Sequence, residues 1–213
     1  MSDKEDMLAL EKTLLTKPDS SIISLDEVGR GAIGGPLAVG AVYLTKETLD
    51  SIAFARDSKS MSARRRKEMF DRLEQTGVPY SIGWVTAATV DEIGITASLH
   101  RAARLALAEL PEPTSYLLDG NLDIISKPGS PDPRVVLQVK GDATCASIAA
   151  ASVLAKVSRD RVMFDYGTEY PGYGFHAHNG YGTKGHYHGI MNLGFSPIHR
   201  RSFKLPKWVT LPG

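Results

Sequence analysis

The run Ser24-Leu25-Asp26-Glu27-Val28-Gly29-Arg30-Gly31 sets two adjacent carboxylates at the end of an apolar stretch, just before a Gly-Arg-Gly turn. A carboxylate at the end of a core strand is costly to bury unless it is paired or holds a cation. Asp119 ends the apolar run 115–118 in the same way, and Asp142 follows the run 135–139, each with glycine close by. Strand ends of a mixed sheet converge on one edge, where ligands bind. Four oxygen donors gathered there form a hard-cation site suited to Mg²⁺ or Mn²⁺. Two such ions roughly 3.5–4 Å apart can activate a water and stabilise the leaving oxygen in phosphodiester cleavage. Adjacent side chains on a regular strand point to opposite faces. Asp26 and Glu27 therefore serve one ion only if the backbone bends, which Gly29 and Gly31 would permit. Those glycines also expose amides that can approach a phosphate, with Arg30 beside them. The plainer alternative is a set of ordinary Asp turns with a solvated arginine.

The elements that must position these acids can be read from the hydrophobic pattern. Strands are expected at 21–25, 37–44, 80–85, 115–118 and 135–139. Helices are expected at 7–15, 62–75 with Ser62 as N-cap, 89–109, 143–166 and 183–193. Residues 126–133 are rich in Pro, Gly and Ser and read as a loop. Strands lead, and strands alternating with helices follow. This order predicts an α/β protein with a mixed central sheet flanked by helices. The expected division is a polar, weakly helical segment at 1–20, a catalytic core at 21–170 and a basic C-terminal extension at 171–213.

Composition narrows the class. The chain has 213 residues, a net charge of +1 and one cysteine. No apolar stretch reaches the roughly 18 residues that span a bilayer, and Met1-Ser-Asp-Lys-Glu-Asp lacks a signal-peptide pattern. An internal disulfide is impossible, which fits a reducing cytoplasm. Cys145 lies among Ala, Thr and Ser and reads as a small buried hydrophobe rather than a nucleophile. From Lys156 onward eight Lys and Arg stand against three Asp and Glu, a local +5 that leaves −4 on the rest. A basic extension beside an acidic core suits a polyanion gripped on one side and cut on the other.

Several segments together resemble the ribonuclease HII family, the type 2 ribonucleases H. They are Asp26-Glu-Val-Gly-Arg-Gly31, Asp57-Ser-Lys59, Leu118-Asp-Gly-Asn121, Lys140-Gly-Asp142, Ser147 to Lys156, Arg159-Asp160, Gly180-Tyr-Gly-Thr183 and His199-Arg-Arg-Ser-Phe203. They run in family order over about residues 21–205. The resemblance implies an RNase H-like fold with a C-terminal helical extension. It implies divalent-metal-dependent endonucleolytic cleavage of RNA in RNA–DNA hybrids and at single ribonucleotides in duplex DNA. The cut would lie 5′ of the ribonucleotide and leave 5′-phosphate and 3′-hydroxyl ends. Asp26, Glu27, Asp119 and Asp142 match the family's catalytic and metal-binding carboxylates.

The resemblance assigns further roles. Gly29, Arg30 and Gly31 match the segment that senses the 2′-hydroxyl, the group separating RNA from DNA. Tyr181 matches a tyrosine that stacks on the sugar after the ribonucleotide. Lys59 resembles a phosphate-contacting lysine, and Arg200 and Arg201 could do similar work without reading sequence. Asp160 reads as structural, paired with an arginine. Two positions depart from the family: Asn179 stands where lysine is usual, and Met61 where leucine is usual. The expected partners are RNA–DNA hybrid and ribonucleotide-containing DNA, with no membrane and a monomeric chain. Three rival readings differ in class: a catalytically silent binder of the same fold, a phosphatase for small phosphate esters, and a zinc-stabilised module using His176, His178, His186, His188 and His199.

Overall fold

The computed structural model describes residues 6–56 and 61–212. Strand β1 (Ser21–Val28) lies at the middle of a five-stranded sheet of order β3-β2-β1-β4-β5. It pairs antiparallel with β2 (Leu37–Thr45), which pairs antiparallel with β3 (Tyr80–Val85). On its other side it pairs parallel with β4 (Ser115–Asp119), which pairs parallel with β5 (Val135–Gln138). The mixed sheet expected from the element order is present.

Alternation along β1 splits the core. Ile23 and Leu25 face α3 (Ala87–Leu107) together with Leu37, Val39 and Ala41. Ile22 faces α5 (Ala146–Glu169) together with Val42 and Leu44, and α2 (Ala63–Gln75) covers the rim of that face. Ser62 accepts from the Arg65 amide and caps α2 as its sequence predicts. Helix α5 comes unusually close to the sheet. A Cβ on Gly40 would lie 2.6 Å from the Ala151 carbonyl oxygen and 3.0 Å from the Ala155 methyl. Only the small residues of 146–155 on one side and Gly40 on the other allow that approach.

Three boundaries depart from expectation. Strand β1 continues three residues past its apolar run, because the ladder to β2 carries on through Asp26↔Gly40, Glu27↔Val39 and Val28↔Ala38. The single helix expected at 143–166 is two: α4 (Gly141–Thr144) and α5, divided where Cys145 is extended at φ −125° and ψ 122°. Helix α3 is kinked at Gly94, whose φ of 78° is left-handed. Asp160 pairs with Lys156 at 2.5 Å rather than with an arginine. Cys145 is buried, and burial pushes its thiol pKa up to about 11, so it is a packing residue.

Residues 6–20 hold the start of α5. The Ala146 amide donates to the Met7 carbonyl at 2.7 Å. In α1 (Ala9–Leu14) the fully buried Glu11 accepts from the Ser147 amide at 2.9 Å and from its hydroxyl at 2.7 Å through Oε1. Its other oxygen, Oε2, has no partner. Burial raises the Glu11 pKa despite the two Ser147 bonds, so the fold favours the protonated acid. A raised folded-state pKa gives stability that is present below the unfolded value and lost as pH rises through the folded value. Glu11→Gln keeps an acceptor for Ser147 and removes the titration. Relative to this variant, the wild type should lose thermal stability as pH rises from 4 toward 7, measured as the difference between the two Tm values at each pH.

Candidate active site

The acids converge because of strand register. Leu25 on β1 pairs with Leu118 on β4, so the next residues along, Asp26 and Asp119, are neighbours. Asp119 in turn pairs with Gln138 at the end of β5. Beyond β5 the chain reverses at Lys140, which takes the left-handed conformation with φ 57°. The Gly141 amide then donates to Asp119 Oδ1 at 2.7 Å. That bond draws the start of α4, and with it Asp142, against the strand ends. Asp26, Asp119 and Asp142 each offer a carboxylate oxygen, and the three oxygens lie within 4.8 Å of one another. Asp26 and Asp142 are buried and Asp119 is half-buried.

Three carboxylates this close repel one another unless a cation lies among them. Their donor set is all oxygen, the set that hard divalent ions take. The site therefore fits Mg²⁺ or Mn²⁺. Glu27 is not in this group. Strand β1 stays paired through Val28, so the backbone does not bend and Glu27 projects from the opposite face. There its carboxylate lies 3.5 Å from Arg30, with both side chains partly exposed. Glu27 nevertheless borders both cavities at this edge. One, about 60 Å³, is shared with Arg30 and Asp119. The other, about 170 Å³, is shared with Asp26, Arg66, Ser152, Lys156 and Tyr181.

The Gly-Arg-Gly turn is built from beneath. Gly29 has φ +82°, and a Cβ there would lie 2.9 Å from the Pro36 carbonyl and collide with the Arg159 guanidinium. Arg200 is buried, with 1 % of its surface exposed, and donates to the carbonyls of Gly29 at 2.7 Å, Arg30 at 3.2 Å and Gly35 at 3.1 Å. This corrects the expectation that Arg200 contacts substrate phosphate: its Nε and Nη1 donors face the protein's own backbone, and its Nη2 is buried. Arg159, fully buried on α5, donates to the carbonyls of Pro36 at 2.8 Å, Asn179 at 2.9 Å and Gly34 at 3.2 Å. Burial lowers both arginine pKa values, that of Arg200 to about 10 with Arg159 nearby adding to the shift.

The same carbonyl cradle reaches Tyr181. The amides of Ile33 and Gly34 donate to the Gly180 carbonyl at 2.9 and 3.1 Å. Tyr181 is 37 % exposed, and its ring lies 5.6 Å from the Arg159 guanidinium carbon. Asn179 has φ 52°, a conformation asparagine adopts readily. Lys59 lies outside the described residues. Arg201 is exposed, and its amide donates to Asp91 at 2.8 Å. The C-terminal histidines form no cluster that could hold a metal among the described residues, where the three aspartates are the one such group. Two features were missed in the sequence: the buried roles of Arg159 and Arg200, and Arg66 with Lys156 beside Asp26. Arginine inside a run of Ala, Ser and Val was the available signal for Arg159.

The family model for ribonuclease HII matches residues 23–206. A ribonuclease HII of Leuconostoc mesenteroides is 42 % identical over 192 residues, which cover 85 % of this chain and 69 % of the relative. The ribonuclease H2 of Pyrococcus horikoshii OT3 shares the fold with a TM-score of 0.72 at 24 % identity, covering 86 % of this chain and 94 % of that one. Bst ribonuclease HIII, solved in complex with Mn²⁺, aligns with a TM-score of 0.62 at 21 % identity over 79 % of this chain and 60 % of its own. The strand-end carboxylates, the turn beside them and these matches across most of the sequence agree: the chain belongs to the ribonuclease HII family, divalent-metal-dependent type 2 ribonucleases H that hydrolyse RNA paired with DNA.

Proposed function

We propose that this chain cuts the RNA strand of RNA–DNA hybrids and also cuts 5′ of single ribonucleotides in duplex DNA, leaving 5′-phosphate and 3′-hydroxyl ends. The observation that carries the reading is the trio of carboxylate oxygens within 4.8 Å beside a turn that is rigidly tied to Tyr181.

In this reading Asp26, Asp119 and Asp142 hold divalent ions, and Glu27 closes the acidic rim between the two cavities. When bound, Mg²⁺ or Mn²⁺ supplies positive charge to the phosphodiester and makes a water more acidic. The protein does the rest by position. Asp119 orients the loop that carries Asp142 through the Gly141 amide. The Gly29–Gly31 turn presents backbone to the 2′-hydroxyl while Arg200 fixes its carbonyls from below. A rigid backbone frame separates ribose from deoxyribose by a single hydroxyl, since a site built to bond that group rejects the analogue lacking it. The Tyr181 ring, beside Asp26 and Glu27, offers a flat face to the following sugar. Arg30, Arg66 and Lys156 supply positive charge to the backbone at the same edge.

The direct test is a DNA duplex with one ribonucleotide, incubated with Mg²⁺, Mn²⁺ or EDTA beside an all-DNA control. Cleavage 5′ of the ribonucleotide is expected only with metal and only in the ribonucleotide duplex. Metal-independent binding without any cut would favour the catalytically silent binder instead. Asp119→Asn retains an oxygen for the Gly141 amide but loses the negative charge. It should lower cleavage by on the order of a hundredfold or more, the scale of removing one electrostatic partner of a transition state, while Tm and duplex affinity change little. Arg200→Lys keeps the charge but cannot span three carbonyls with one planar fork. Its expected signature is a smaller ratio of ribonucleotide to all-DNA binding, read by competition, together with slower cleavage.

A further inference from the structure

Two histidines hold the main chain on either side of Tyr181 and a third backs one of them, and their hydrogen bonds allow one arrangement of protons. The Tyr181 carbonyl lies 2.9 Å from His186 Nδ1. A carbonyl can only accept, so Nδ1 carries the hydrogen and Nε2 of the neutral ring is an acceptor. The Ser196 amide, which can only donate, lies 2.8 Å from His199 Nδ1. His199 therefore carries its hydrogen on Nε2. The two Nε2 atoms are 3.0 Å apart, and the two assignments meet correctly: His199 donates and His186 accepts. The Ser196 hydroxyl, 2.7 Å from His199 Nδ1, shares that nitrogen's one lone pair with the amide. His178 completes the set. Its Nε2 lies 2.9 Å from the Tyr173 carbonyl and so carries hydrogen, and its Nδ1 accepts from the Gly180 amide at 3.3 Å. Its ring stacks on His186 with centroids 4.3 Å apart.

Every bond requires neutral rings, and the surroundings enforce neutrality. His186 and His199 are buried beside Phe175, and desolvation holds both pKa values at about 4. The segment they grip needs support. Asn179 and Gly180 both have positive φ, at 52° and 79°. His178 takes the Gly180 amide on one side of Tyr181, and His186 holds the Tyr181 carbonyl on the other. His199 also forms a backbone bridge with Gly34, within the loop that carries the Gly29–Gly31 turn.

We propose that His178, His186 and His199, as neutral imidazoles in fixed tautomers, are positioning residues that aim the Tyr181 ring into the cavity it shares with Asp26 and Glu27. The role rests on Tyr181 touching substrate as proposed above. Donation runs in one direction from Ser196 to Tyr181, so the pair couples the C-terminal segment to the ring without entering the chemistry.

Two measurements test it. In the ¹⁵N-labelled wild-type chain at pH 7, long-range ¹H–¹⁵N spectra should show hydrogen on Nδ1 of His186 and on Nε2 of His199 and His178. Hydrogen on Nε2 of His186, or tautomer averaging at His186 or His199, overturns the proposal. The second compares His186→Asn with His186→Leu, two side chains of similar size. The Asn amide can still donate to the Tyr181 carbonyl and Leu cannot. Single-turnover cleavage of a one-ribonucleotide duplex should fall on the order of tenfold or more in His186→Leu and should be largely rescued in His186→Asn. In a Tyr181→Ala background, itself strongly impaired, His186→Leu should add no further loss. Equal losses in Asn and Leu, or the same loss in both backgrounds, overturn the positioning role alone. Unchanged cleavage in Tyr181→Ala overturns the reading of Tyr181 and the positioning role with it, while the tautomer result still stands as a property of the fold.

Discussion

Two buried guanidinium groups hold the Gly-Arg-Gly turn and the segment before Tyr181 together. Arg159 and Arg200 donate to six backbone carbonyls, those of Gly29, Arg30, Gly34, Gly35, Pro36 and Asn179. A buried cation is costly unless its donors are satisfied; here the partners are fixed peptide dipoles, and only Arg200 Nη2 is left buried without one among the described residues. Carbonyls carry only partial charge, so the arrangement is favourable only while the loop keeps its shape. The loop is locked by the groups that most need it. Arginine suits this place because its rigid fork meets several acceptors at once.

The acid cluster rests on a different constraint, the closeness of α5 to the sheet. Gly40 pairs with Asp26 across β1 and β2, and α5 sits on Gly40 with no room for a side chain. The helix therefore fixes the height of the strand end that carries Asp26. Its N-terminus is held by Met7 and Glu11, and its later turns carry Arg159. One rigid helix thus contacts the N-terminal segment, the underside of the acid-bearing strand and the underside of the Gly-Arg-Gly turn.

Much of this was legible in the sequence. Asp26, Asp119 and Asp142 stood out because each interrupts or follows an apolar run, and strand ends of one sheet share an edge. The mixed sheet followed from element order. What periodicity could not reveal was where backbone pairing continues after the apolar pattern stops, so Glu27 was grouped with Asp26 although β1 sends them to opposite faces. The extended Cys145 that divides α4 from α5 was hidden for the same reason: Ala-rich sequence reads as helix on both sides of it. In the sequence Arg200, beside Arg201 in a basic stretch, has the pattern of a surface residue. Only the three-dimensional fold shows it under Gly29. The histidine spacing suits metal ligands, but the ring nitrogens of His178, His186 and His199 are committed to backbone groups and to each other.

These features imply a division of labour at the site. Carboxylates that hold ions can tolerate small shifts, because a cation draws its ligands in and Mg²⁺ keeps several waters. Discrimination of one hydroxyl cannot, because a displacement of about 1 Å is enough to lose much of a reaction's advantage. Asp26 and Asp119 lie at the ends of neighbouring strands, Asp142 lies in α4, and the Gly141 amide ties the start of α4 to Asp119. The turn and the tyrosine segment are braced by two buried arginines and three ordered histidines, and the Ile33 and Gly34 amides join one to the other through the Gly180 carbonyl. In the proposed reading, this bracing lies where the ribose hydroxyl is read.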